Sequence, residues 1–159
     1  MHAPSAFAFS VRAATPADAP NIAAQRLQLL AGDGDAPPGS AELAASTEHT
    51  IARLLAEGRA GAWLAVDAEG VPVGSTVLLH VDRLPSLQNR SPSEGYLAQL
   101  HVAPEWRWRG VGRALLQAAL AEARARELGR VRLHATVEAL GFYERAGFTA
   151  RSNDLELML

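Results

Sequence analysis

Arg107-Trp108-Arg109-Gly110-Val111-Gly112 brings together the residue types that hold a pyrophosphate. It follows a strand-like stretch that stops at Pro104 and opens a long alanine-rich helix. The first N–H groups of such a helix have no acceptor of their own and favour an anion. Gly110 and Gly112 lack Cβ atoms, so the backbone can approach a ligand closely and take turn dihedrals that other residues resist. Arg107, Arg109 and Arg113 add three positive charges within seven residues, and guanidinium suits phosphate oxygens. Two other phosphate motifs are excluded by the same letters. A Walker loop needs Gly-Lys-Ser/Thr, and Gly112 is followed by Arg113 and Ala114; a dinucleotide fingerprint needs a glycine where Leu115 stands.

What remains is an Arg/Gln-x-x-Gly-x-Gly/Ala pattern, followed downstream by Ala139-Leu140-Gly141-Phe142-Tyr143-Glu144-Arg145-Ala146-Gly147-Phe148. On these motifs the chain resembles the GNAT superfamily, the Gcn5-related N-acetyltransferases that bind acetyl-CoA. The resemblance takes in Tyr96 to Val102, the loop Arg107 to Gly112, a helix from Val111 to about Leu128, Val131 to Thr136, and the tyrosine-bearing segment. It implies an α/β (α+β) fold, a mixed central sheet with helices on both faces whose central parallel strands splay apart. It further implies that acetyl-CoA is the co-substrate and a primary amine the acceptor. Main-chain groups of the segment Leu100-His101-Val102 would pair with the pantetheine arm, and Arg107, Trp108, Arg109, Gly110, Val111, Gly112 and Arg113 would hold the pyrophosphate. Tyr143 would give its phenolic proton to the departing thiolate. The chain departs from a common family form at Thr136, where an asparagine often precedes the tyrosine by seven residues.

Moving an acyl group from a thioester to an amine needs a held donor, a deprotonated amine, stabilisation of the oxyanion and a proton for the thiolate. A primary ammonium has a pKa near 10.4, so a base or water chain must act at neutral pH. His101 is the catalytic candidate, since it shares a strand face with Gln99 and an imidazole is suitably poised. Glu94, Glu138, His80 and His134 are the other possibilities. The bland alternatives are a packed histidine and, for Tyr143, a core aromatic. Trp106 and Trp108 are expected to pack or stay partly exposed rather than to stack on adenine. None of the five histidines has metal-ligand spacing, so no metal is expected.

The chain has no cysteine, which removes disulfides, thiolate metal sites and a cysteine nucleophile. All fifteen basic residues are arginine, so Schiff-base chemistry on lysine is excluded. A net charge of -2 argues against a general nucleic-acid surface. No run reaches the roughly 18 apolar residues of a membrane span, and Met1 to Ser10 has no leader pattern, so a cytoplasmic protein is expected. With 159 residues and 48% hydrophobic content, the expectation is one domain over residues 1–159.

The elements that must position these residues follow from periodicity and caps. Phe9 to Ala14 reads as a strand; Thr15-Pro16-x-Asp18 starts a helix with Ile22, Ala23, Leu27 and Leu30 on one face. Ala31 to Gly39, containing Gly32-Asp33-Gly34-Asp35, is a loop. Ser40 to Glu57 is a second helix closed by Gly58, and Ala62 to Asp67 and Val73 to Val81 form a hairpin turning at Glu69-Gly70. Pro85 to Gly95 is a polar loop. The helix after Gly110 carries Val111, Leu115, Ala118, Ala121, Ala125 and Leu128 as its stripe and ends at Gly129. Val131 to Thr136 is the next strand, Glu138 to Ala146 a short helix capped by Gly147, and Leu155 to Leu159 a final strand that could pair across a homodimer.

Three readings compete: an N-acetyltransferase working by direct transfer in a ternary complex, as no cysteine can carry the acyl group; a non-catalytic acyl-CoA sensor or interaction module of the same fold; and an unrelated phosphate-binding α/β protein. The acceptor, a small-molecule or protein amine, is set by segments that do not spell their ligand, about Leu27 to Glu57 and Pro85 to Gly95.

Overall fold

A carboxylate fixes the entry into the first helix. Strand β1, Phe9–Ala13, is followed by one turn of 3-10 helix at Pro16–Asp18, and Asp18 accepts two hydrogen bonds from the Arg12 guanidinium at 2.9 and 2.8 Å and one from the Thr15 N–H at 2.8 Å. Hydrogen bonding from Arg12 holds the Asp18 carboxyl at about 2, against the opposing effect of burial. Because the folded value lies below the ordinary one, this stabilisation is present above pH 3.8 and is lost as pH falls toward 2. Asp18→Ala is expected to cost about 2 kcal/mol in urea unfolding at pH 7, and the cost should shrink at low pH.

The computed structural model describes residues 7–32, 34–151 and 155–159. Met1 to Ala6, most of the stretch read for a leader, and Asp33 of the acidic loop lie outside the described residues. Helices α1, Ala19–Ala31, and α2, Ser40–Ala56, lead to β2, Ala60–Asp67, and β3, Pro72–Asp82. Gly58, at φ +67°, closes α2, with the Arg59 N–H donating to Leu54 O at 2.9 Å. Strand β4, Ser93–Val102, precedes α3, Val111–Ala125, then β5, Val131–Arg132, a 3-10 turn at Val137–Ala139 and α4, Leu140–Arg145.

The sheet runs in the order β1-β2-β3-β4-β5; every neighbouring pair is antiparallel except the last, which is parallel. One face meets α1 and α2 through Ile22, Ile51, Ala62, Leu64 and Val77. The other meets α3 through Leu78, Leu97, Val111, Leu115, Leu116 and Ala119. The expected mixed sheet with helices on both faces is what forms. The parallel pair is brief, covering only Gly95↔Val131 and Tyr96↔Arg132. Beyond it the strands part, and the rest of β4 has no partner on that side among the described residues.

Several expected details differ. In α1 the buried set is Ala19, Ile22, Ala23 and Gln25, while Leu30 is exposed. In α3 it is Val111, Leu115, Leu116, Ala119 and Ala123, with Ala121 and Ala125 exposed. Alanines lie all round this helix, so spacing alone does not single out a face. The helix closes at Glu127, φ +56°, whose successor Leu128 donates its N–H to Ala123 O at 2.9 Å. Gly129 serves packing instead, since a Cβ there would strike the Asn89 side chain. The strand expected over Val131 to Thr136 stops at Arg132. Leu155 to Leu159 forms no strand and its leucines are exposed. An edge only two residues long gives a further strand within the chain little to pair with.

Candidate active site

Backbone direction along β4 decides what its free edge offers. The Gly95 N–H donates to Arg130 O at 2.9 Å, toward β5. Strict alternation would next turn Leu97, Gln99 and His101 that way. A bulge intervenes: Leu78 pairs with Leu97 and Val77 with Gln99, so Ala98 is skipped, and its carbonyl accepts from Arg26 Nη1 at 3.0 Å. Past the bulge the parity is reversed. Thr76 Oγ1 donates to Gln99 O at 2.8 Å and the Ala103 N–H donates to Val73 O at 2.9 Å, both toward β3. The main-chain groups of Leu100 and Val102 therefore face the gap left by β5.

Side chains divide accordingly. Leu97, Leu100 and Val102 pack toward α3. Gln99 and His101 face α1: the Gln99 amide donates to Ile22 O at 3.2 Å and to Ser75 Oγ at 2.8 Å. His101 Nε2 lies 3.1 Å from Gln28 Oε1; an amide oxygen only accepts, so Nε2–H donates and Nδ1 keeps its lone pair. Burial pushes the His101 pKa below 6.5, the Arg107 cation lowers it further, and Glu105 opposes. The imidazole is thus neutral at pH 7.

The loop that follows is pinned at its flanks. Arg107 Nε donates to Val102 O at 3.2 Å, and Arg109 Nε donates to Glu105 O at 3.0 Å while its guanidinium lies 3.2 Å from the centre of the Phe7 ring. Gly110, at φ +83°, is the residue before α3 and no side chain caps it. The first helical hydrogen bond is Ala114 N–H to Gly110 O at 3.0 Å. That leaves the N–H groups of Val111, Gly112 and Arg113 facing outward, with the Arg113 side chain exposed beside them. A Cβ on Gly112 would meet Val102 and Phe142 at ordinary distances of 3.5 and 3.6 Å, so α3 begins where β4 ends and α4 approaches.

Trp106 packs as expected, 9% exposed in the core and edge-on to Phe7 with centroids 5.5 Å apart. Trp108 does not. Its side chain is 100% exposed and its φ of +62° lies in the left-handed region. The flanking arginines hold the backbone so that this ring projects away from the core that Trp106 occupies.

Tyr143 stands between Phe142 and Phe148, with centroids 5.0 and 5.6 Å away and both contacts edge-on. Burial pushes its phenol pKa up, so it stays protonated at neutral pH. It packs with the α3-side cluster, whereas His101 faces α1; the two flank β4 from opposite faces and do not touch. The other candidate bases stand in different surroundings. Glu94 is buried and bound by Arg130, Arg132 and Arg83 at 2.6, 3.2 and 3.5 Å. His80 Nδ1 lies 3.2 Å from Gly58 O at the opposite end of β3. His134, Thr136 and Glu138 are exposed. Sequence reasoning missed the Ala98 bulge, Arg26 and Gln28, none of which carries a local signal.

Among the described residues no group of His, Asp or Glu is positioned to hold a metal ion, and no helix is long and apolar enough to cross a membrane. Comparison with known proteins agrees with the fold and the motifs. The chain is 38% identical over 145 residues to aminoglycoside N(6')-acetyltransferase type 1 of Stenotrophomonas maltophilia, covering 85% of this chain and 86% of that one. A GCN5-related N-acetyltransferase from Ralstonia eutropha JMP134 superposes with a TM-score of 0.82 at 25% identity, over 95% of this chain and 99% of that one. A predicted acetyltransferase from Clostridium acetobutylicum, solved with acetyl-CoA, gives the same TM-score of 0.82 at 21% identity, over 95% and 96%. The model of the acetyltransferase (GNAT) family matches residues 30–148. With the parted parallel strands and the glycine-bounded helix start already seen, this match establishes that the chain belongs to the GNAT acetyltransferase family and is an N-acetyltransferase.

Proposed function

We propose that this protein acetylates an amino group of an aminoglycoside or a similar polycationic amine, using acetyl-CoA in a ternary complex. The observation that carries the reading is the meeting of a β4 edge that has no neighbouring strand at Leu100 and Val102 among the described residues with the N–H groups that open α3. When bound, acetyl-CoA supplies the activated acetyl thioester. The backbone of Val111, Gly112 and Arg113, with Arg107, Arg109 and Arg113 as counter-charges, holds the pyrophosphate. Leu100 and Val102 bind the pantetheine amides as a strand would. His101 takes the proton of the acceptor ammonium, directly or through one water, and Tyr143 gives a proton to the leaving sulfur.

Charge supports the acceptor class. From Leu27 to Glu57, a segment expected to select the acceptor, the chain carries Asp33, Asp35, Glu42, Glu48 and Glu57 against the single arginine Arg53. The Stenotrophomonas relative is named for aminoglycoside acetylation. The test is thiol release from acetyl-CoA across aminoglycosides, polyamines, amino acids and peptides. Aminoglycosides should give the highest kcat/KM; turnover confined to peptides would contradict the acceptor, and no turnover with any amine would favour the sensor reading.

His101 also predicts a pH profile. As its pKa is depressed, the base form persists below 6.5, and the acidic limb of kcat/KM should fall below that pH. His101→Gln should lower kcat/KM by at least about 10²-fold and remove that limb. An unchanged limb in the variant would assign it elsewhere.

A further inference from the structure

We infer that Trp108 is the stacking platform for the adenine ring of the donor, a role that rests on the acetyl-CoA reading above. Three observations converge on this residue. Its indole is wholly uncovered, 100% exposed, although Trp106 two positions earlier is buried. Its backbone sits at φ +62°, a conformation that disfavours a residue with a Cβ, so local energetics would prefer glycine there. The conformation is maintained from both sides, by Arg107 bonded to Val102 O and by Arg109 bonded to Glu105 O and stacked on Phe7. Strained, non-glycine backbone held by its surroundings is a feature of ligand-clamping loops.

The position specifies the ligand moiety. Trp108 lies two residues before Gly110, at the mouth of the anion cradle. Pantetheine leaves that cradle into the β4–β5 gap, so the nucleoside must leave it on the solvent side, where the only fully exposed aromatic ring of the loop stands. An indole offers a purine a flat π surface without needing base-specific hydrogen bonds, and such stacking is sequence-tolerant and strong. Arg107 and Arg109 are each tied through Nε to a backbone carbonyl, which leaves their remaining N–H groups for the pyrophosphate and the uncovered indole as the flat surface for the base.

The experiment compares dissociation constants for acetyl-CoA, for acetyl-dephospho-CoA, which keeps the adenosine and pyrophosphate, and for S-acetyl-4′-phosphopantetheine, which lacks the adenosine with its 3′-phosphate and one phosphate of the pyrophosphate, by calorimetry or competition, in the wild type, Trp108→Ala and Trp108→Phe. Trp108→Ala should weaken acetyl-CoA and acetyl-dephospho-CoA alike, roughly tenfold, within the range for base–aromatic stacking, and leave the phosphopantetheine fragment unchanged; Trp108→Phe should keep most of the affinity. Acetyl-CoA should also quench tryptophan fluorescence in the wild type, and the quench should be lost in Trp108→Phe. Unchanged acetyl-CoA affinity in Trp108→Ala, or equal weakening of all three ligands, overturns the stacking role while the enzyme reading stands. Failure of the wild type to bind acetyl-CoA overturns both.

Discussion

Tyr143→Phe is expected to lower turnover by roughly 10²- to 10⁴-fold, the range typical of general acid–base catalysis, with acetyl-CoA affinity nearly unchanged. The phenylalanine keeps the ring and its edge-on contacts with Phe142 and Phe148, so packing is preserved and only a proton donor is lost. Burial raises the phenol pKa, so the donor form fills the whole neutral range and the loss should be the same at pH 6 and pH 8. Steady-state kinetics with the best amine, beside a melting curve, measure this. A binding module would lose nothing beyond one hydrogen bond; full activity in the variant would hand the proton transfer to water or another group.

Gly110→Asp should weaken acetyl-CoA by about ten- to a hundredfold, or ~1.4 to 2.8 kcal/mol. The new carboxylate would sit on the N–H groups of Val111, Gly112 and Arg113 that the account reserves for pyrophosphate, cancelling the helix-terminus attraction and adding charge repulsion. Nothing lies within 4 Å of a Cβ at Gly110, and Asp tolerates positive φ better than most residues, so the fold should survive. Gly110→Asn is the control, with the same backbone demand and no charge. Equal losses in the two variants would trace the effect to loop strain rather than to the anion site.

How far these residues could be read from sequence depended on whether the deciding physics was local. The loop before α3 was legible because a helix start, two glycines and their arginines all lie within seven positions. The Tyr143 segment was legible by its spacing and by Gly147, which does take positive φ, +97°. The bulge at Ala98 was not, because it is set by the register against β3 and by an arginine 72 residues away. Without it the wrong main-chain groups would face the gap. Trp108 failed for a related reason: aromatic rings beside turns usually bury area, but here two neighbouring arginines hold the backbone so that burial is denied. The end of α3 was misplaced because Glu127 took the left-handed position expected of a glycine.

The central claim, direct acetyl transfer by a chain with no nucleophilic cysteine, is tested most directly by initial velocities over a grid of acetyl-CoA and aminoglycoside concentrations, with thiol release also followed in the absence of amine. Direct transfer gives intersecting double-reciprocal lines and no thiol release until amine is added. Parallel lines, with a burst of free CoA and an acetylated protein before any amine is present, would contradict it.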